Sequence, residues 1–141
     1  MFNLDDCIAL ITCRSSKVFV AALEQRLRLH RITRIQCFAL YYIHQNSRIS
    51  QRELADLLAV REPAVARLVR EMELQELLHR QGNDLDKRVR HLYLTDKGQS
   101  LCEEVMQVIE QFKSDTVKGI SEEDLKTLKS CLARMVENAK R

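Results

Sequence analysis

"NDLDKRVRHLYLTDKG", residues 83–98, decides how the rest of the chain is read. Asp84 and Asp86 stand with Lys87, Arg88 and Arg90 in a charged tip. Val89, His91, Tyr93 and Thr95 then alternate with Arg90, Leu92 and Leu94. A period of two marks a strand, so the stretch reads as one arm of a short hairpin that ends in a turn at Lys97 and Gly98. Its surroundings read differently. With one proline and three glycines in 141 residues, the chain divides by hydrophobic period into about six helices.

Working outward, "RISQRELADLLAV" (48–60) places Ser50 and Glu53 at capping-box spacing, and Leu54, Leu57 and Leu58 are expected on the buried side of a short helix. "REPAVARLVREMELQELLHR" (61–80) starts a second helix near Pro63. There Val65, Leu68, Val69 and Met72 form an inward stripe, and Ala64, Arg67, Arg70 and Glu71 point out. The order is therefore helix, turn, helix, hairpin. Earlier, "ITRIQCFALYYIHQ" (32–45) carries a Thr33 cap and a stripe of Ile35, Phe38, Ala39, Tyr42 and Ile43, after a first helix from about Leu4 to Leu29.

Small and basic residues on one exposed helix face suit double-stranded DNA. The major groove accepts a helix, an arginine reads guanine with two hydrogen bonds, and a small residue permits close approach. A β-ribbon tipped with Lys87, Arg88 and Arg90 suits the neighbouring minor groove, where negative potential concentrates. The candidate DNA contacts are Ser50, Gln51, Arg61, Glu62, Ala64, Arg67, Arg70, Asp86, Lys87, Arg88 and Arg90. Glu62 has a second reading as a helix-dipole partner, and Asp86 with Arg88 has one as a surface ion pair.

On these residues the chain resembles the MarR family of winged helix-turn-helix transcriptional regulators. The matching segments are "TRIQCFAL", "SQRELADLLAV", "AVARLVREME" and above all "DLDKRVRHLYLTDKG". The last has an Asp two residues before an Arg and a closing Leu, Thr and Gly: Asp86, Arg88, Leu94, Thr95 and Gly98. The resemblance implies a mainly α fold with a two-stranded β-wing. It implies a single domain over 1–141, with a DNA-binding lobe at 33–98 and dimerisation helices at 1–32 and 99–141. It further implies a homodimer on a palindromic operator, a repressor more than an activator, with the wing Asp orienting basic side chains and the wing Arg entering the minor groove.

Three departures stand out. Glu76 occupies the turn where the family usually has Gly, which costs about 1 kcal/mol if that turn is left-handed. Arg61 stands where Ser or Thr often caps the recognition helix, at a similar cost. The cysteine of the peroxide-sensing branch aligns with Ala9, and Leu23 and Arg34 replace its tyrosines, so that mechanism is not inherited.

The remaining chemistry is sparse. A hydrophobic fraction of 45% with 30% charged residues, and the lack of a long apolar run or leader-like start, lead to the expectation of a cytosolic protein with no membrane partner. Five scattered cysteines argue against a disulfide framework, and Cys7 and Cys13 lie too far apart for a close zinc pair, so no metal or cofactor is expected. The histidines His30, His44, His79 and His91 are dispersed, and no nucleophile motif supports a Cys/His enzyme, the weaker alternative from another class.

The net charge of +3 hides a lopsided cluster from Arg14 to Arg34, where six bases face only Glu24. Arg14 and Lys17, with Tyr41, Tyr42 and His44, are candidates for a small aromatic anion held in the cleft that the family resemblance implies between dimer core and DNA-binding lobe. The rival signal is oxidation of Cys7 or Cys13. A third reading is core tyrosines with solvated bases and no signal at all.

Overall fold

The computed structural model describes residues 1–82, 85 and 88–141. A short 3-10 turn at Leu4–Asp6 precedes α1 (Ile8–Arg28), so the expected first helix is interrupted at Cys7. There follow α2 (Arg34–Gln45), β1 (Ile49–Ser50), α3 (Gln51–Leu58), α4 (Glu62–Leu74), β2 (Leu78–Gly82), β3 (Arg90–Leu94), α5 (Asp96–Thr116) and α6 (Glu122–Ala139). The chain separates into two compact units, one of Met1–Leu23 with Glu110–Arg141 and the other of Glu24–Ile109. The second unit extends past the expected lobe of 33–98 at both ends. Among the described residues no helix is long and apolar enough to cross a membrane.

The Glu24–Ile109 unit is built as its sequence signals require. Thr33 and Gln36 cap α2 reciprocally, and Ser50 and Glu53 do the same for α3, so the orphan amides at each start are satisfied by the side chains that the spacing singled out. On α4, Val65, Leu68, Val69 and Met72 are buried and Ala64, Arg67, Arg70 and Glu71 are exposed. The stripe of α2 is deepest at Cys37, Ala39, Leu40 and Ile43, while Ile35, Phe38 and Tyr42 are half-buried. Leu57 departs from expectation: it is 46% exposed, and Ala55 beside Leu54 takes the buried position. The turn between α3 and α4 closes on Ala59 at φ 54°, where the Val60 amide donates to the Ala55 carbonyl.

The hairpin of β2 and β3 is antiparallel, with Leu78 opposite Leu94 and Gly82 opposite Arg90. It gains a third strand, because Ile49 and Ser50 of β1 pair with Leu92 and His91 and put β3 in the middle. Two residues are too few to show a period, so this strand leaves no trace in the hydrophobic pattern.

The turn expected at Lys97 and Gly98 is instead the first turn of α5. Thr95 caps it: the hydroxyl accepts from the Gly98 amide at 3.0 Å and donates to the Glu76 carbonyl at 2.5 Å. Gly98 is there for room, since a Cβ on it would sit 1.9 Å from the Leu77 carbonyl oxygen. The closing "LTDKG" thus works as a helix start pressed against the end of α4.

In the unit of Met1–Leu23 and Glu110–Arg141, Ser121 caps α6 through the Asp124 amide, as its sequence position suggests. This unit buries little. Leu23 is its one buried apolar side chain among the described residues, and α6 buries none.

Candidate nucleic-acid interface

Arg67 and Arg70 stand on the exposed face of α4 with Ala64 between the helix start and Arg67, and none of the three cations Arg61, Arg67 and Arg70 has an ion-pair partner among the described residues. Arg61 occupies the N-cap of α4 with extended backbone and makes no side-chain cap, so its guanidinium is not spent on the helix. Glu62 begins the helix, where its charge complements the dipole, and sits 3.7 Å from Arg52. Both readings of Glu62 made from sequence remain compatible with this position.

Beside α4, a concavity of about 470 Å³ is lined by Ser50, Gln51, Arg52, Glu62, Arg80, Arg88, Val89 and Arg90. It brings together five of the sequence-derived candidates: Ser50, Gln51, Glu62, Arg88 and Arg90. Arg61, Ala64, Arg67 and Arg70 lie on α4 outside its lining, and Asp86 and Lys87 lie outside the described residues. Sequence reasoning left out Arg52 and Arg80. Arg80 is held by Glu73 of α4 at 2.9 Å across a half-buried pair, which fixes a cation at the base of the hairpin. The signal that could have found it is the base on β2 seven residues after an acid at the end of α4. Ser50 is partly committed, because its hydroxyl oxygen accepts from the Glu53 amide, leaving the hydroxyl proton and one lone pair for another partner.

The candidates for an anion divide between the two units. Arg14 and Lys17 belong to the Met1–Leu23 segment, where Arg14 donates to Asp5 at 2.9 Å; Tyr41, Tyr42 and His44 belong to α2. The tyrosine rings meet edge to face at 5.3 Å, and His44 shares a hydrogen bond with Gln99 at 3.0 Å. Each of the other histidines also has a partner: Glu104 for His30, the Arg48 carbonyl for His91, and the stacked Tyr93 ring for His79.

Cys7 is half-buried and Cys13 exposed. Cys37 and Cys102 are buried; burial, then the neighbouring Cys102, pushes the Cys37 thiol up to about 11, and burial with Glu103 raises Cys102. Neither of these two supplies a ready thiolate at neutral pH. Among the described residues no group of His, Cys, Asp and Glu is arranged to hold a metal ion.

A helix pair joined by a tight turn, an exposed basic face on the second helix, and a cation-lined hairpin beside it recur in known proteins. The MarR family model matches residues 32–89. Over those residues the chain is similar to the MarR family. Over nearly the full length it superimposes on MepR of S. aureus in a complex with DNA, with TM-score 0.84, 24% identity, and coverage of 98% of this chain and 99% of that one. AbsC, a MarR family transcriptional regulator from Streptomyces coelicolor, gives TM-score 0.90 at 17% identity, covering 99% and 97%. BpsR of Bordetella bronchiseptica, whose DNA binding is regulated by 6-hydroxynicotinic acid, gives 0.87 at 19% identity, covering 96% and 97%. At these identities the likeness shows the fold, in which α4 is the second helix of the helix-turn-helix and the β2–β3 hairpin stands in the place of the wing.

Proposed function

We propose that the protein is a cytoplasmic transcriptional regulator that binds a palindromic operator as a homodimer and acts as a repressor. The observation that carries this reading is the set of cations on the exposed face of α4, Arg61, Arg67 and Arg70, beside the concavity lined by Arg52, Arg80, Arg88 and Arg90. Ala64 and Arg67 face the major groove, Arg70 lies nearer the backbone, which Ser50 and Gln51 meet at the start of α3, and Arg88 and Arg90, with Asp86 and Lys87, serve the minor groove. MepR, which shares the fold, has been seen on DNA. The dimer is supported by the unit of Met1–Leu23 and Glu110–Arg141, where Phe2, Ile8, Val18, Phe19, Leu128 and Val136 are exposed. Leu125, Leu128, Leu132 and Val136 follow one another at three- and four-residue steps along α6, the spacing of a helix–helix seam. A second copy of the same surface, related by a twofold axis, covers such a face and sets two recognition helices about 34 to 36 Å apart.

The test is selection of bound duplexes from a random pool, with sedimentation to fix the stoichiometry. Half-sites about one helical turn apart and two chains per duplex are expected. Arg67→Ala relaxes preference at one base pair of each half-site, Arg70→Ala weakens all sequences and flattens the salt dependence, and Arg88→Ala costs about 1 to 3 kcal/mol of binding without unfolding the protein. Selection of no duplex, or unchanged affinity in all three variants, overturns the reading.

A further inference from the structure

On the face of the hairpin that meets the lobe, residues come in opposed pairs: Leu78 with Leu94, Arg80 with Leu92, and Gly82 with Arg90. Leu78 and Leu92 are buried, whereas Gln81 and Gly82 are exposed. Arg80 therefore stands where the inner face leaves the core and enters the cation-lined concavity. The two strands are fastened unequally. β3 lies in the middle of the sheet, paired with β1 as far as His91, whose Nδ1 shares a hydrogen bond with the Arg48 carbonyl at 2.6 Å. β2 is an edge strand, and past Leu78 its residues, His79, Arg80, Gln81 and Gly82, offer no aliphatic side chain to pack. A Cβ on Gly82 would meet nothing within 4 Å.

The fastening of β2 to α4 at this level is ionic. Arg80 Nη2 lies 2.9 Å from Oε1 of Glu73 in the last turn of α4, and both side chains are half-buried. Arg80 Nε is buried without a hydrogen-bond partner among the described residues, a cost that an apolar side chain opposite Leu92 would not carry. What an ion pair adds over such a side chain is one fixed geometry. The pair joins the two elements that carry the proposed DNA contacts, Arg67 and Arg70 on α4 and Arg88 and Arg90 of the hairpin.

We propose that Glu73 and Arg80 are positioning residues for DNA binding: their ion pair sets the angle of the β2–β3 hairpin against α4, so that Arg88 and Arg90 reach one groove while Arg67 sits in the next. This rests on the function proposed above. It also predicts an effect opposite in sign to that of a plain surface acid. A carboxylate beside a polyanion repels it, so by electrostatics alone removal of Glu73 tightens DNA binding and releases Arg80 to a phosphate. With the pair setting the hairpin, removal of Glu73 weakens binding, and does so through the contacts of the hairpin.

The full-length protein is tested first without DNA, with residual dipolar couplings of backbone amides reading the orientation of the hairpin relative to α4. In Glu73→Ala the couplings of Gln81, Gly82 and Arg90 should depart from the parent orientation while those of Val65, Leu68, Met72 and Leu78 keep it. Arg80→Met, which breaks the pair from the other side, should do the same. A duplex recovered by selection is then bound. Glu73→Ala should weaken it about fivefold or more. Arg88→Ala, which costs the parent protein about tenfold, should cost Glu73→Ala about threefold or less, while the cost of Arg67→Ala stays the same within about twofold. A pair that merely stabilised the lobe would leave both costs unchanged. The proposal is overturned if either variant keeps the parent couplings throughout the hairpin, or if Glu73→Ala binds the duplex as tightly as the parent or more tightly. It is equally overturned if Arg88→Ala costs as much in Glu73→Ala as in the parent. Failure to recover any duplex sinks the proposed function and leaves the couplings to decide whether the pair sets the hairpin.

Discussion

Between Glu24 and Ile109, Leu27, Leu40, Leu54, Val65, Val69, Met72 and Val105 are 0% exposed and lie on α1, α2, α3, α4 and α5. In the unit of Met1–Leu23 and Glu110–Arg141 only Leu23 among the described apolar residues is buried, and others stand in solvent, with Val18 at 68% and Phe2 at 80%. The cysteines divide in the same way: Cys37 and Cys102 are buried in the first region, while Cys7, Cys13 and Cys131 are half-buried or exposed in the second. One region has a core of its own and can hold a binding surface rigid. The other has helices whose apolar residues are mostly exposed or half-buried, the surface that the proposed dimer would cover.

The largest expected effect breaks or confirms that division directly. Under native conditions a thiol-labelling reagent should reach Cys37 and Cys102 only through opening of the lobe, so their protection approaches the free energy of unfolding, about 5 to 15 kcal/mol for a domain. Cys13 and Cys131 should label rapidly at low protein concentration and more slowly as the proposed dimer forms; mass spectrometry of labelled peptides reads both. Rapid labelling of Cys37 would end the claim of a closed core. The same thiol gives a pH dependence. Its folded pKa is raised from the ordinary 9.0 to about 11, so between those values the unfolded chain has lost the proton and the folded one keeps it. The unfolded state then binds fewer protons, and stability falls as pH rises through that window. Cys37→Ala should remove this part of the alkaline loss in denaturant melts.

Next in size is a matched pair of truncations. Leu54→Ala, in the core of the lobe at 0% exposure, should cost about 2 to 5 kcal/mol in denaturant melts that do not depend on protein concentration. Leu128→Ala, at 51% exposure on α6, should leave the melting of the lobe alone and weaken self-association, read by sedimentation equilibrium. If the two variants destabilise equally in dilute protein, the regions do not differ in the way proposed.

Gly98→Ala follows, at about 1 to 3 kcal/mol, because the added methyl group meets the backbone oxygen of Leu77 and one of two packed elements has to move. This position also shows where sequence reading stops. The helices, the caps at Thr33 and Ser50, the inward stripe of α4 and its basic outer face were legible, because each follows from a local period or a fixed spacing along one element. The hairpin was legible for the same reason. Its closing Gly98 was misread as a turn because the demand for glycine there comes from Leu77, a tertiary neighbour 21 residues earlier, and not from local backbone conformation. The pairing of Ile49 with Leu92 and the anchoring of Arg80 by Glu73 are likewise contacts between elements, which no pattern within a single element encodes.

The smallest effect concerns left-handed backbone, which the two regions also treat differently. The lobe uses Arg31, Arg48, Ala59 and Glu76 at positive φ, whereas the turn before α6 uses Gly119 at φ 83°. Glu76 stands at φ 61°, its amide bonded to the Glu73 carbonyl and its carbonyl to Thr95, while its side chain is exposed and makes no hydrogen bond or ion pair among the described residues. Glu76→Gly therefore removes a side chain that does nothing for the fold and relieves the steric cost of the left-handed conformation. Against this gain of about 1 kcal/mol stands the greater freedom of glycine in the unfolded chain, which returns part of it. A net stabilisation of about 0.5 to 1 kcal/mol, a rise of a few degrees in melting temperature, is expected. Glu76→Ala, which keeps the Cβ, should give no such rise. Gly119→Ala, with open space around its Cβ, should cost about 1 kcal/mol from backbone conformation alone. A lower melting temperature for Glu76→Gly would mean that the Glu76 side chain contributes to holding the end of α4, and the left-handed turn would then have to be explained by that contribution.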